Sequence, residues 1–136
     1  MFSYQRKVFL RDTDATGVIY FGSMFQYSLE AFESLLSTNN QSLRELLSLG
    51  YLFPVVHAEA DYKAPLKVGD DFCVQVFVSN ISERSFTVES ILKRLPDSSV
   101  VGTTKIVHAF LLSGQTQAST IPEAIVSFLQ AMQVEG

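Results

Sequence analysis

The chain has 136 residues, 47% of them hydrophobic and 18% charged, a balance typical of one globular domain and not of a disordered chain. Its formal net charge is -4, its pI is about 5.0 and it has no basic block, which argues against a nucleic-acid-binding surface. The single cysteine, Cys73, cannot form an internal disulfide and has no CxxC-type partner for zinc, which favours a buried thiol in a reducing cytoplasm. No signal peptide and no membrane span are expected, because charged and apolar residues alternate at the start and no apolar run approaches ~20 residues.

The first part of the chain predicts a strand, a turn and a long apolar helix. The strand is expected over residues 4–12, with three apolar side chains on one face: Tyr4, Val8 and Leu10. Residues 12–17 have turn composition, and helical periodicity follows from about 21 to 37. The apolar side of this helix consists of Met24, Phe25, Tyr27, Leu29, Ala31, Phe32, Leu35 and Leu36, and the narrower polar side of Ser23, Gln26, Glu30, Glu33, Ser34 and Ser37. Because the apolar side covers more than half of the circumference, we expect a curved surface to wrap the helix.

The rest of the chain predicts a short helix, four strands and a last helix. Ser42 and Glu45 have the residue types of a capping box, and Gly50 should end the short helix. Strands are expected over 53–63, 72–78, 84–95 and 100–112, and a capping box at Thr120 opens the last helix, which is expected to end near Gln133. The first of these strands has an apolar face made of Val56, Ala58, Ala60 and Tyr62. Consecutive strands joined by short turns favour an antiparallel sheet and an α+β fold, in which a second copy could cover the sheet edges.

The turn before the long helix is the best candidate for a functional site. A helix N-terminus offers unpaired backbone N–H groups, here those of Phe21 and Gly22, which could stabilise an oxyanion. Gly17 and Gly22 would let a substrate approach the backbone closely. A carboxylate on this turn could act as a nucleophile or as a general base for water. Asp12 is expected to be a cap or turn former, and for Asp14 position alone also favours that role over catalysis.

The other polar residues predict no second site. Glu30 and Glu33 are expected to be solvated or to lie at an interface, and His57 and His108 to be structural, since neither has a carboxylate at ligand spacing. No G-x-S-x-G elbow, Walker loop or G-x-G-x-x-G is present, so a serine hydrolase and a nucleotide-binding fold are not expected.

Residues 12–21, DTDATGVIYF, resemble the D-x-D-x-x-G-x-[VI]-[YWF] signature of hotdog-fold acyl-CoA thioesterases of the 4-hydroxybenzoyl-CoA thioesterase family. Residues 61–65 and 69–70 resemble the second conserved block of that family, and 83–86 resemble the segment that contacts coenzyme A. The similarity covers nearly the whole chain. It implies a single hotdog domain over 1–136, in which a five-stranded antiparallel sheet wraps one long central helix.

The resemblance also implies roles for single residues. Asp14, the second aspartate of the motif, would be the catalytic carboxylate that attacks the carbonyl or activates water, and the backbone N–H of Phe21 would polarise the thioester carbonyl. The residues implied to contact the substrate are Gly17, Tyr20, Gly22 and Phe25. Those implied to contact coenzyme A are Lys63, Arg84 and Ser85. For Arg84 and for Ser85, a solvated position in the turn that leads into a strand is an equally open alternative.

The resemblance implies the partners as well. Coenzyme A would be the leaving group of the substrate, so that no cofactor and no metal are expected, and carrier-protein thioesters stay open as donors. Active sites of this family form between two subunits, which implies a homodimer, often paired into a homotetramer.

One position separates branches of the family. The branch associated with the Tol-Pal envelope system commonly has histidine after the tyrosine of the motif, where this chain has Phe21. Residues 20–21, 29–34 and 54–58 look closer to 1,4-dihydroxy-2-naphthoyl-CoA thioesterases, which serve phylloquinone and menaquinone synthesis. An aromatic acyl group would suit a pocket lined by Tyr20, Phe21, Phe25 and Phe53. The alternative is a non-catalytic hotdog protein that binds acyl-CoA or an acyl-carrier protein.

Overall fold

The computed structural model describes residues 1–39 and 41–133. The strands are β1 (Phe2–Lys7), β2 (Tyr51–Leu52), β3 (Val55–Tyr62), β4 (Asp71–Ile81), β5 (Ser85–Arg94), β6 (Ser99–Ala109) and β7 (Leu111–Leu112). The helices are α1 (Ser23–Thr38), α2 (Leu43–Ser48) and α3 (Glu123–Ala131), and a 3-10 turn covers Leu10–Asp12. Five strands form one antiparallel sheet in the order β1-β4-β5-β6-β3, and β2 pairs with β7. No helix of the described part is long and apolar enough to cross a membrane.

The long helix α1 contacts all five strands of the sheet, as its wide apolar side predicts. Met24, Tyr27 and Ala31 have no exposed surface, which places the middle of the helix entirely inside the core. Two members of the predicted apolar side are less buried than expected, since Phe25 is half-buried and Leu29 is 38% exposed. The predicted architecture, one antiparallel sheet around one central helix, is confirmed.

Two serines of α1 are buried because each has a polar partner. Ser28 Oγ lies 2.7 Å from Thr104 Oγ1 on β6, so a hydrogen bond crosses from the helix to the sheet inside the core. Ser23 Oγ donates to the backbone carbonyl of Asp12 at 2.8 Å. Ser23, which the sequence places on the polar side of the helix, is therefore buried: a buried hydroxyl with a partner avoids the desolvation cost that would otherwise keep it outside.

The sheet buries one face against the helices, and its alternation of residues is the one that the sequence predicts. The buried apolar side chains of this face include Phe72, Val74, Val76 and Val78 on β4, Phe86, Val88 and Leu92 on β5, and Ile106 on β6. The edge strand β3 differs, because only Ala60 is even half-buried and Val55, Val56 and Tyr62 are 47%, 61% and 49% exposed. The predicted apolar face of β3 is thus uncovered in a single protomer.

The first strand ends earlier than predicted. β1 stops at Lys7, and the Asp12 carboxylate then accepts the backbone N–H of Phe9 at 2.9 Å, which folds residues 9–12 into a turn. Leu10 is consequently 75% exposed instead of facing the core. This result is a correction of the predicted strand and confirms Asp12 as a turn former.

The last strand and the last helix also differ in their bounds. The predicted strand over 100–112 is divided into β6 and β7, because Leu111–Leu112 leaves the sheet to pair with β2. The helix α3 begins after Pro122 without a side-chain cap, and Thr120 Oγ1 points instead to Glu83 Oε1 at 3.4 Å. The capping box predicted at Thr120 is therefore wrong, whereas Ser42 does cap α2 by accepting the Glu45 N–H.

Candidate active site

The loop between β1 and α1 is a short antiparallel ladder that carries both motif aspartates. Thr13 pairs with Ile19, the Asp14 N–H donates to Val18 O at 2.9 Å, and the Tyr20 N–H donates to Asp12 O at 3.2 Å. The tip closes with the Gly17 N–H donating to Asp14 O at 3.1 Å. Gly17 has φ +80°, a left-handed conformation that favours glycine. The ladder puts Asp14 at its tip and the start of α1 at its base, about three rungs or ~10 Å away.

The carboxylate of Asp14 is exposed and held from one side. Its Oδ1 accepts the Thr16 N–H at 2.8 Å and the Thr16 hydroxyl, while Oδ2 accepts from no described residue. The hydrogen bonds from the side chain and the backbone of Thr16 hold the pKa of Asp14 below its usual range. The group is therefore ionised at neutral pH, with one oxygen fixed and the other free to face a reactant.

The N-terminus of α1 has unpartnered backbone donors. Gly22 occupies the N-cap position without a side-chain cap, and the N–H groups of Phe21 and Gly22 donate to nothing in the described ranges. The next amide, that of Ser23, donates to Tyr20 O at 3.0 Å. A Cβ at Gly22 would lie 2.7 Å from the Tyr20 ring, so glycine lets the ring lie over the backbone here. Two adjacent free N–H groups at a helix N-terminus form the kind of site that binds a developing oxyanion.

A buried ionic cluster anchors this loop to the protein. Arg6 lies 2.6 Å from Asp12 Oδ2 and 3.1 Å from Glu30 Oε2, and the side chains of Arg6 and Asp12 are each only 8% exposed. Although burial opposes it, hydrogen bonding to Arg6 and to the Phe9 N–H lowers the pKa of Asp12. Glu30 is thus a partner of Arg6 within the protomer, which corrects its expected position in solvent or at an interface. The cluster fixes Asp12, and Asp12 O in turn holds Tyr20 and Ser23.

Aromatic side chains flank the helix N-terminus. Tyr20 and Phe21 are 45% and 75% exposed, with ring centroids 6.4 Å apart in an edge-to-face arrangement, and Phe25 is half-buried in the first turn of α1. The hydroxyl of Tyr62, the last residue of β3, donates to Phe21 O. Lys63 follows directly and is held to β6 through Val101 O, so it lies at the same end of the sheet.

Three other predicted residues lie elsewhere in the protomer. Arg84 and Ser85 lie at the start of β5. The candidate site lies at the end of the sheet where β5 finishes, and this end is ~30 Å away at a rise of ~3.3 Å per residue. Phe53 packs in the core against Phe86 and Phe110, with ring centroids 5.9 Å from each. One protomer therefore does not bring these three residues to Asp14 and Phe21.

Sequence analysis overlooked several residues that shape the site, because their roles depend on long-range or backbone contacts. Thr16 holds Asp14, Tyr62 reaches Phe21, and Arg6 pairs with Asp12 across the turn. Only Thr16 gave a local signal, since a hydroxyl two residues after an aspartate often closes such a turn. His108 is structural as predicted, with Nδ1 3.0 Å from Phe53 O, and no group of residues in the described part could hold a metal ion.

Comparison with known proteins agrees with the fold. The family model of the thioesterase-like superfamily matches residues 8–129. Among curated proteins, the 1,4-dihydroxy-2-naphthoyl-CoA hydrolase of Synechocystis sp. strain PCC 6803 is 30% identical over 90% of this chain and 89% of its own. The enzyme of the same name from Synechococcus elongatus is 30% identical over 95% of both chains.

Solved structures show the same similarity. A 1,4-dihydroxy-2-naphthoyl-CoA thioesterase from Synechocystis superposes with a TM-score of 0.87 at 28% identity, over 95% of both chains. A protein from Aquifex aeolicus gives a TM-score of 0.88 at 25% identity, over 95% of this chain and 99% of its own. The chain belongs to the thioesterase-like superfamily and has the hotdog fold of that family. The expected enzyme class, a thioester hydrolase, and the resemblance to 1,4-dihydroxy-2-naphthoyl-CoA thioesterases are confirmed.

Proposed function

We propose that the protein hydrolyses the thioester of an aromatic acyl-CoA, with 1,4-dihydroxy-2-naphthoyl-CoA as the favoured substrate. The observation that carries the proposal is that one loop holds both an ionised Asp14 carboxylate with one unpartnered oxygen and, where the loop enters α1, two backbone N–H groups that donate to no described residue. The names of the cyanobacterial relatives supply the acyl group. The exposed rings of Tyr20 and Phe21 beside the helix end support a flat aromatic acyl group over an aliphatic chain.

The chemistry of the site is hydrolysis assisted by a carboxylate and an oxyanion hole. The thioester carbonyl oxygen accepts the N–H groups of Phe21 and Gly22, which stabilise the negative charge that develops on it. Asp14 either takes a proton from water as the water oxygen bonds to the carbonyl carbon, or attacks that carbon and forms an anhydride that water then cleaves. In both routes the C–S bond breaks, coenzyme A leaves as a thiol after protonation, and the acyl group leaves as a carboxylic acid. Asp14 is ionised at neutral pH, as either role requires.

The complete site in this proposal needs two subunits. The edge strand β3 exposes apolar side chains on a row of unpaired backbone, which is a surface that pairs readily with a second copy. If two β3 strands pair antiparallel about a two-fold axis, the two sheets run in opposite directions. The end of one sheet that carries Arg84 and Ser85 then lies beside the end of the other sheet that carries the candidate site. Arg84 and Ser85 would then approach the Asp14 of the other subunit, where an arginine suits the phosphates of coenzyme A. We propose a homodimer of single-domain chains for this reason, with a tetramer as a further level of assembly.

We place the enzyme in the cytoplasm. Cys73 is buried and free, which is consistent with a reducing compartment. The proposed domain spans residues 1–136, of which Asn40 and residues 134–136 lie outside the described part.

The experiment that tests the proposal is a free-thiol release assay on the purified protein. The panel contains 1,4-dihydroxy-2-naphthoyl, benzoyl-type, short-chain and long-chain acyl-CoAs. We expect the highest kcat/KM with the bicyclic aromatic substrate. A preference for aliphatic thioesters would keep the reaction and discard the proposed acyl group.

A parallel thermal-shift series with the same ligands separates the enzyme from a non-catalytic binding protein. A ligand that binds the folded state raises Tm as its concentration increases, whether or not it is hydrolysed. Saturable shifts with coenzyme A thioesters, but no thiol release from any of them, would contradict catalysis and support the binding protein instead.

A further inference from the structure

The last residue of the edge strand β3 contacts the backbone of the site. The hydroxyl of Tyr62 donates a hydrogen bond to the carbonyl oxygen of Phe21, which is 41 residues away in the sequence. Burial raises the pKa of Tyr62 above its ordinary value, so the phenol stays protonated and remains a donor at neutral pH. Tyr62 is 49% exposed and Phe21 is 75% exposed, so the contact lies at the surface of the protomer.

This contact acts on one of the two free amides. The Phe21 carbonyl and the Gly22 N–H belong to the same planar peptide unit, so a hydrogen bond to the oxygen fixes the direction of the N–H. Accepting a hydrogen bond at the oxygen also polarises the peptide unit and makes its N–H a stronger donor.

The neighbouring peptide unit is fixed in a similar way. Its oxygen, Tyr20 O, accepts the Ser23 N–H at 3.0 Å, and its N–H is the free donor of Phe21. In the peptide unit of each free donor, the carbonyl oxygen therefore accepts a hydrogen bond. The oxygen of Tyr20 accepts it from the backbone of α1, and the oxygen of Phe21 accepts it from the side chain of Tyr62 on the sheet.

We propose that Tyr62 is a positioning residue of the oxyanion hole, which orients and polarises the Gly22 N–H through the Phe21 carbonyl. The inference rests on the proposed function. Without the Tyr62 hydroxyl, the 21–22 peptide unit at the exposed helix end is free to rotate, and the Gly22 N–H is less often directed at the thioester oxygen. The loss falls on the transition state, where the charge on that oxygen is greatest, and much less on substrate binding.

The first test compares Tyr62→Phe with Tyr51→Phe in the full-length protein. Tyr51 is a suitable control because its ring packs against Phe110 at 5.3 Å and its hydroxyl makes no hydrogen bond with any residue that the structure describes. We expect Tyr62→Phe to lower kcat by ~10-fold, less than the ~100-fold or more lost when an oxyanion donor is removed, with KM within about twofold. Tyr51→Phe should leave kcat unchanged, and Tm should stay within about 2 °C in both variants.

The second test does not depend on catalysis. In a ¹⁵N–¹H spectrum, loss of the hydrogen bond to Phe21 O should move the Gly22 amide proton upfield in Tyr62→Phe and not in Tyr51→Phe. An unmoved Gly22 resonance, or an unchanged kcat in an active Tyr62→Phe protein, would overturn the role of Tyr62 and leave the proposed function intact. If the wild type hydrolyses no acyl-CoA, the proposed function fails and the catalytic part of this inference fails with it, whereas the Gly22 resonance still reports whether Tyr62 orients the amide.

Discussion

The two aspartates of the motif lie two residues apart but differ in their contribution to stability. Asp12 is buried, paired with Arg6 and bonded to the Phe9 N–H, whereas Asp14 is exposed and contacts only its own turn. Removing one partner of a buried ion pair leaves a charge without compensation, so Asp12→Ala should lower the free energy of unfolding by about 3 kcal/mol. The matched variant Asp14→Ala should cost less than about 1 kcal/mol. Urea denaturation measures both, and equal losses would contradict the assignment of the structural role to Asp12.

Acid should destabilise the protein in two separate ranges of pH. His108 is buried, and burial lowers its pKa, so the unfolded chain binds a proton that the folded chain does not. Stability therefore falls as pH drops below the ordinary histidine pKa of ~6.5 and stops falling once the folded-state pKa is passed. The pKa of Asp12 is lowered, so the stability that it contributes is present above its unfolded value of ~3.9 and is lost only in stronger acid.

The variant His108→Gln tests the first of these ranges. It should flatten the dependence of the free energy of unfolding on pH between about 7 and 5, although its absolute stability will be lower. The control is the exposed His57→Gln variant, which removes the other histidine of the chain and so shows whether the effect is specific to His108. If His108→Gln shows the full wild-type slope, His108 is not the group responsible.

At the scale of elements, close approach of α1 to the sheet depends on one glycine of β6. A Cβ at Gly102 would lie 2.5 Å from Met24 Cε and 2.7 Å from the backbone oxygen of Asp61. The methionine side chain could move, but the Asp61 carbonyl is part of the neighbouring strand and could not move without disturbing the pairing. Gly102→Ala should therefore cost about 1–3 kcal/mol of stability, as overpacking of a core does. The neighbouring Thr103→Ala, on the opposite face of β6, should change stability by less than about 1 kcal/mol in the same denaturation experiment.

The elements show what periodicity can and cannot predict. The apolar side of α1 predicted a helix wrapped by a sheet, because burial requires that periodicity whatever the partner. The end of β1 at Lys7 was not predictable in this way, since it depends on the Asp12 carboxylate capturing the Phe9 N–H. The division of the last strand likewise depends on Leu111 and Leu112 pairing with a distant β2. Local pattern determines which face is buried, whereas single side-chain hydrogen bonds and pairing with distant strands determine where an element ends.

In the candidate site, too, local features were predictable and contacts that depend on the fold were not. The local sequence pointed to the amides of Phe21 and Gly22 as oxyanion donors, because a turn before a helix is a local feature, whereas the catalytic role of Asp14 came only from the resemblance. The resemblance alone supplied Arg84 and Ser85, and a single protomer leaves them at the far end of the sheet. No local pattern could indicate Tyr62, which reaches Phe21 from another strand.

For the whole molecule, the uncovered edge strand makes assembly and activity interdependent. A charge on β3 should prevent pairing with a second copy, and Val56→Lys introduces it at a residue that is 61% exposed and so does not disturb the protomer. Sedimentation should show a monomer for this variant, with a raised KM for acyl-CoA because the second subunit no longer supplies Arg84 and Ser85. Leu49→Lys, at a residue 65% exposed directly after α2, is the matched control and should keep both the assembly and the KM of the wild type. A Val56→Lys protein that is still dimeric would exclude β3 as the interface.

We propose that the carboxylate of Asp14 performs the chemistry, and two matched variants test this role. Asp97 is exposed like Asp14 and accepts the N–H and hydroxyl of Ser99, two residues on, just as Asp14 accepts those of Thr16. We would measure kcat/KM for the best acyl-CoA with Asp14→Asn and Asp97→Asn, each of which removes a charge from the same kind of turn. We expect kcat/KM to fall at least ~100-fold in Asp14→Asn and to stay unchanged in Asp97→Asn. Full turnover by a folded Asp14→Asn protein would contradict it.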